Sequence, residues 1–316
     1  MIQDPPVIFL MGPTASGKTA LAVDLCRQYP FGIVSVDSAM VFRGMDIGTA
    51  KPGPEITREV PHRLIDICDA AEVYSAGRFR TDAIQAIDEI IAAGLVPILV
   101  GGTGLYFRAL EQGIADLPAA DALVRTRLER EAAVAGWQSL HKRLGKIDPE
   151  SARRIHPNDP QRIQRALEVY EITGKSLTQL FADGRQAPMR QRAMKVIITP
   201  PQRQDIQVRV KQRFEQMIEL GFVDEVRKFH GRGDLDPTFP SMRMVGYRQI
   251  WRYLDGLLSY QEMLDHAIIA SRQLAKRQLT WLRSERDACR VSGNEQENLV
   301  NTLNYLRKDP VLAGIV

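Results

Sequence analysis

Two rhythms of apolar residues run along this chain. The first is a set of short, unbroken runs: Val7-Ile8-Phe9-Leu10-Met11, Gly32-Ile33-Val34-Ser35-Val36, Val96-Pro97-Ile98-Leu99-Val100 and Met194-Lys195-Val196-Ile197-Ile198-Thr199. Runs of this length, rich in β-branched residues, predict strands covered on both faces, as in a parallel sheet. The second rhythm is helical. A helix is expected from about Thr19 to Gln28, and another from about Ala76 to Ala93, where Ala83, Ile84, Ile87, Ile90 and Ile91 mark one face. Strands alternating with helices imply an α/β fold: a doubly wound parallel sheet whose site lies at the carboxyl ends of its strands.

Near Asp116 the pattern changes. Residues 121–135 are rich in Arg, Glu, Leu and Ala and carry no strand signal, so 116–150 is expected to be a small all-helical insertion, with 1–115 and 151–316 forming the core. His156-Pro157-Asn158-Asp159-Pro160 opens a further helix, with Asp159 as N-cap and Pro160 at the first helical position. Gly174-Lys175-Ser176 imitates part of a phosphate-loop signature, but it follows a helix and reads as its C-terminus, with Gly174 left-handed. The strand at 194–199 is expected to be the last, with helices beyond it.

Composition narrows the class. The 316 residues are 44% hydrophobic and 25% charged, as in ordinary globular proteins, and 42 basic against 38 acidic residues give a net charge of +4. Cys26, Cys68 and Cys289 form no CxxC pair, which argues against a disulfide framework or a zinc site. The N-terminal residues lack a basic start followed by an apolar run, and no apolar stretch is long enough to span a bilayer. A cytoplasmic monomer with no membrane association is expected.

The chemistry begins at Gly12-Pro13-Thr14-Ala15-Ser16-Gly17-Lys18-Thr19, which satisfies G-x-x-x-x-G-K-[ST] between a predicted strand and a predicted helix. Glycines let the backbone wrap closely, so that successive N–H groups and the helix N-terminus face a phosphate. Lys18 adds a charge, and the Thr19 hydroxyl is a ligand for Mg²⁺. In nucleotide hydrolases a later strand ends in an acidic residue that helps hold the metal. Here the strand at 96–100 runs instead into Gly101-Gly102-Thr103-Gly104. Asp37 falls at the carboxyl end of the second strand, beside the loop. It reads either as a turn carboxylate or as a catalytic group, and Thr103 as a turn hydroxyl or a partner of substrate or base.

Read together, GPTASGKT, VDSAMVFRGMDIGTAKP, VGGTGLYFRAL, HPNDPQRIQRALEVYEITGKS, MRMVGYRQIWRYLDG and SRQLAKRQLTWLR resemble the bacterial tRNA dimethylallyltransferase (tRNA isopentenyltransferase) family, in order and over nearly the whole chain. Met40-Val41-Phe42 departs from many relatives by apolar or near-isosteric changes. The resemblance implies a P-loop NTPase-like sheet flanked by helices, with a helical C-terminal region. It implies transfer of a dimethylallyl group from dimethylallyl diphosphate to N6 of the adenosine 3′-adjacent to the anticodon. Asp37 would be general base, Thr103 and Lys18 catalytic partners, and residues 12–19 with Mg²⁺ on Thr19 would hold the diphosphate. Asp37, Ser38, Ala39 and Met40 would meet the acceptor.

Residue chemistry adds candidate contacts for the anticodon stem-loop. Arg272, Lys276, Arg283 and Arg286 share an arc of one late helix, with Arg277 close by, while Leu264, Ala267, Ser271, Leu274, Ala275 and Leu282 share the arc expected to face the core. Gln161, Arg162, Ile163, Gln164 and Arg165 open an earlier helix. Arg243, Gly246, Tyr247 and Arg248, with Trp251 and Arg252, mix cations with aromatics suited to unstacked bases. Arg125, Arg127 and Arg130 give the insertion a basic side. Arg209 and Arg213 suit either diphosphate or RNA. Rival readings are a P-loop small-molecule or nucleoside kinase, a transferase using free adenine nucleotides, and an RNA-binding module without catalysis.

Overall fold

The computed structural model describes residues 4–184 and 186–316. Met1–Gln3, on which the expectation of no leader partly rested, lie outside the described residues. The chain divides into two compact units, one formed by residues up to Glu111 together with Met189–Val316, the other by Gln112–Pro188.

The first unit follows the alternation expected. Strand β1 (Val7–Met11) leads to helix α1 (Lys18–Gln28), β2 (Phe31–Val36), α2 (Pro54–Glu59), the two-residue β3 (His62–Arg63), α3 (Ala76–Ala92), β4 (Val96–Gly101) and α4 (Gly104–Glu111). The second unit then intervenes with α5 (Ala122–Ala135), α6 (Trp137–Ile147), α7 (Pro149–Arg154), α8 (Pro160–Thr173) and α9 (Leu177–Ala182). The first unit resumes with β5 (Ala193–Ile198), α10 (Arg203–Glu219), α11 (Phe222–His230), α12 (Tyr247–Leu254), α13 (Tyr260–Leu282), β6 (Ala288–Val291) and α14 (Glu295–Leu306).

Among the described residues the strands form one six-stranded sheet in the order β3-β2-β4-β1-β5-β6, every pairing parallel. Successive side chains on a strand point to opposite faces, and both faces are covered. Val7, Phe9 and Met11 enter the core beneath α3, α4 and the late helices, while Ile8 and Leu10 enter the core shared with α1 and α14. That two-sided burial is why the strands read as continuous apolar runs. Strand β6 was not expected. Its four residues, Ala288-Cys289-Arg290-Val291, occupy the sheet edge, and only Val291 is buried, so no apolar run announces it.

The helical unit is wider than the 116–150 expected. Helix α8 presents Ile163, Ala166, Leu167 and Val169 to Leu128, Leu140 and Leu144 of α5 and α6, so these helices close a core of their own. Its start is as read from the sequence: Asp159 accepts the Arg162 N–H at 3.2 Å with Pro160 following, and the helix ends on Gly174 at φ 70°.

Candidate active site

The strand order delivers three loops to one place. Strands β2, β4 and β1 are neighbours, so Asp37, Gly101–Thr103 and the phosphate loop emerge side by side from their carboxyl ends. Backbone bonds join them: the Gly12 N–H donates to Gly101 O and the Thr103 N–H to Val36 O, each at 3.3 Å. Gly101 is required there, because a Cβ would lie 2.0 Å from the Val36 carbonyl oxygen.

The phosphate loop is wound by two left-handed residues, Ala15 at φ 62° and Gly17 at φ 86°, and α1 begins at Lys18. This is the geometry that turns consecutive amides and a helix N-terminus toward an anion. Gly12 has no room for a side chain, since its Cβ would meet Ser16 Oγ at 2.5 Å. Lys18 Nζ donates to Pro13 O at 3.2 Å, curling over the loop. Burial, and then the nearby Arg213 charge, lower the Lys18 pKa to about 8, against an opposing pull from Asp37. The three charges therefore face one another across a small space.

Asp37 Oδ1 accepts the Ala39 N–H at 2.8 Å, and Thr103 Oγ1 accepts the Ser38 N–H at 3.3 Å. Thr103 thus braces the turn that carries Asp37, and its own proton stays available to a ligand. These groups line a cavity of about 510 Å³ together with Ser38, Ala39, Met40, Thr19, Arg213 and Arg243. Its other wall is apolar, built from Val210, Phe214, Met217, Phe222 and Leu274. A small cationic and acidic end beside an apolar wall suits a ligand with an anionic head and a hydrocarbon tail.

Mg²⁺ fits the donor set. Thr19 offers one neutral hydroxyl oxygen on the cavity lining, and no group of three or more His, Cys, Asp or Glu forms a separate cage among the described residues. Mg²⁺ commonly takes one or two protein ligands and completes its shell with phosphate oxygens and water.

Other expected contacts are scattered. Arg272 and Lys276 line a separate groove of about 210 Å³ formed by α10 and α13; Arg277 is exposed on α13, and Arg283 is exposed just beyond its end. Arg248 is exposed on α12. Gln161 and Arg162 are exposed in the helical unit, whereas Gln164 donates to Glu129 at 3.0 Å and Arg165 to Glu168 at 2.7 Å. Three assignments to RNA need correction. Ile163 is fully buried in the helical unit's core. Gly246 is buried at φ 91°, where a Cβ would lie 2.6 Å from the Phe222 ring. Tyr247 is 1% exposed and donates its hydroxyl to Glu225, so it floors the cavity and has no open face for a base to stack on. Trp251, 4% exposed, is core for the same reason: helical spacing turns it inward.

Sequence reasoning missed two supports and half of a helix face. Glu225 accepts the N–H groups of Asp46, Ile47 and Gly48 at 3.0, 2.7 and 3.1 Å, fixing the loop that carries Gly48 and Thr49 into the cavity wall. Gln278 Oε1 accepts the Thr14 N–H at 2.8 Å, and its Nε2 donates to Gly102 O at 3.2 Å. Ser271 and Leu274, expected to face the core, line the cavity with Gln278 at i, i+3 and i+7. Arg213, left between two roles, lines the cavity and donates to Thr49 O at 3.4 Å. Arg209 does not line it.

Comparison with known proteins places the chain in a family. A family model described as IPP transferase matches residues 40–285. Over 282 residues the chain is 59% identical to the tRNA dimethylallyltransferase of Thioalkalivibrio sulfidiphilus, covering 89% of this chain and 88% of that protein. It is 57% identical to the enzyme of the same name from Alkalilimnicola ehrlichii, covering 89% of each. The solved full-length tRNA isopentenylpyrophosphate transferase from Bacillus halodurans is 36% identical, with a TM-score of 0.70 over 97% of this chain and 96% of that one. A eukaryotic dimethylallyltransferase acting on tRNA shares the fold at 22% identity, with a TM-score of 0.79 over 99% of this chain and 80% of that one. The chain belongs to the IPP transferase family.

Proposed function

We propose that this chain transfers the dimethylallyl group of dimethylallyl diphosphate to N6 of the adenosine 3′-adjacent to the anticodon of tRNA, releasing diphosphate. The observation that carries the reading is the union, in one cavity, of a phosphate loop, a carboxylate on the neighbouring strand end and an apolar wall. A kinase would use the first two; the third suits a five-carbon tail.

The N6 amine is a weak nucleophile because its lone pair is delocalised into the ring. As that lone pair forms the new C–N bond, the allylic C–O bond breaks and its electron pair leaves with the diphosphate. Asp37 accepts the N6 proton. The loop amides and Lys18 stabilise the leaving anion, aided by the positive side chains of Arg213 and Arg243. Mg²⁺, held through Thr19, would neutralise further charge on the leaving group. Thr103 keeps Asp37 in place through Ser38. To reach the base edge, the enzyme takes the adenosine out of its stack.

The exposed cations of α12 and α13, and Gln161 and Arg162 of the helical unit, are the candidates for the RNA backbone. No helix among the described residues is long and apolar enough to cross a membrane. The chain is proposed to act as a monomer.

Incubation with Mg²⁺, radiolabelled dimethylallyl diphosphate and unmodified tRNA tests the reading. Label should enter tRNA with the natural protein, and Asp37→Ala should reduce kcat by about 10²- to 10⁴-fold. Label in free adenine nucleotides only, or phosphate transfer from ATP to a small hydroxyl compound, would replace it.

A further inference from the structure

We propose that Gln278 is the positioning residue that sets the distance between the leaving-group cradle and the proton acceptor, an inference that rests on the prenyl-transfer reading above. Its amide spans two of the three strand-end loops. Oε1 accepts from Thr14, inside the phosphate loop, and Nε2 donates to the Gly102 carbonyl, just beyond β4. The fit at Gly102 is close, because a Cβ there would lie 2.4 Å from Nε2. The next residue is Thr103, whose hydroxyl takes the Ser38 N–H, and Asp37 in turn takes the Ala39 N–H. One neutral side chain therefore connects the loop that receives the leaving charge to the turn that carries the base.

An amide matches the chemistry at this point. Thr14 offers a donor and Gly102 an acceptor, so the bridging group must accept at one atom and donate at the other. A lysine cannot accept. An ionised carboxylate cannot donate, and it would set a negative charge beside the diphosphate site. Helix α13 supplies a stiff mount, since Ala275 and Leu282, each 1% exposed, pin the turns on either side of Gln278. Gln278 acts through the two loops, so it belongs to the positioning of the reactants and not to the reacting set.

The test uses the full-length protein with Gln278→Leu and Gln278→Glu. For each, kcat, KM for both substrates, melting temperature and the Kd of inorganic diphosphate are measured. Gln278→Leu removes both bonds at similar size, and a misplacement of this kind is expected to lower kcat by about 10- to 100-fold. Diphosphate binding should weaken, while the KM for tRNA stays unchanged. Gln278→Glu carries its own control. Once protonated, the substituted carboxyl has one O–H and one C=O, the same donor and acceptor as the amide. Burial against a carbonyl raises its pKa, so the variant-to-natural ratio of kcat should climb as pH falls from about 8 to 6. A purely structural loss would lower the melting temperature without that climb.

A Gln278→Leu kcat within about twofold of the natural protein, or a ratio for Gln278→Glu that is flat with pH, overturns the proposal. If Gln278→Leu fails to fold, Gln278→Glu decides alone. If the natural protein transfers no dimethylallyl group, the functional reading falls. Diphosphate binding then still judges Gln278: unchanged affinity in both variants overturns its role, and weaker binding that recovers in acid for Gln278→Glu supports it.

Discussion

The Glu225 carboxylate accepts the Ile47 N–H at 2.7 Å, although the two residues lie 178 positions apart, and this bond anchors one wall of the cavity. The same carboxylate takes the amides of Asp46 and Gly48 and the Tyr247 hydroxyl, and it is 7% exposed. Four donors converging on one buried carboxylate leave no lone pair region idle. Gly48 lies beneath the rings of Phe222 and Tyr247, where any Cβ would overlap them, with 2.1 Å to Phe222 Cε2.

Glu225→Gln places an amide N–H where an acceptor is needed and should cost about 1–3 kcal/mol of stability. Because Thr49, one residue beyond the anchored stretch, takes the Arg213 guanidinium, the KM for the diphosphate donor should rise as well. Thermal melts and donor saturation curves at fixed tRNA check both. An unchanged melting temperature would show that the four bonds contribute nothing net.

Lys18 gives a pH dependence whose sign follows from its lowered pKa. With a folded-state value near 8 against an ordinary 10.5, the free protein loses this charge as pH rises through about 8. The folded state bears the cost of the buried charge below that pH, and the cost is relieved as pH rises toward the ordinary lysine value. Diphosphate binding has the opposite preference, since it requires the ammonium. The affinity for inorganic diphosphate should therefore fall above pH 8, with proton uptake on binding near that pH. Calorimetry in buffers of different ionisation enthalpy measures the uptake, and Lys18→Met should reduce it to the part contributed by diphosphate itself.

Glu168 governs the helical unit's response to acid. It is fully buried and accepts from Arg125 Nε at 2.8 Å, Arg165 Nη1 at 2.7 Å and the Asp121 N–H at 2.9 Å. Burial alone would raise its pKa, but these bonds outweigh burial and hold it below the usual glutamate value. A depressed carboxylate stabilises in full at neutral pH, and the contribution is lost as pH falls through the folded value. Glu168→Ala should destabilise the unit by about 2–4 kcal/mol. Amide exchange in α5 and α8 should rise in the variant at neutral pH, and in the natural protein only in acid. Exchange in β1 and β4 serves as the unaffected reference.

The central strands were legible because residues such as Phe9 and Leu10 are buried on opposite faces of one sheet, which leaves no polar break in the sequence. The turn at residues 12–19 was legible because its glycines are demanded locally, Gly12 by close contact with Ser16 and Gly17 by its left-handed φ. The position of Asp37 just beyond β2 followed from the apolar run that precedes it. Gln278 and Glu225 were hidden for a physical reason. A lone polar residue on an amphipathic helix looks the same whether it meets water or a loop 264 positions away, as Gln278 does. The extent of the helical unit was hidden likewise, since the stripe on α8 says that a partner exists without saying which. Tyr247 misled because an aromatic among arginines is equally consistent with core and with a stacking surface.

The bond between Thr14 and Gln278 joins residues 264 positions apart, and this bears on synthesis. A ribosome passes through the phosphate loop 264 residues before it reaches Gln278, after β5 and most of α13 have been made. Until then the loop lacks one of its ties, and the apolar wall, including Leu274, is missing. A nascent or prematurely terminated chain can carry every residue of the signature motif and still hold no finished pocket. The finished pocket thus exists only in chains that extend past Gln278.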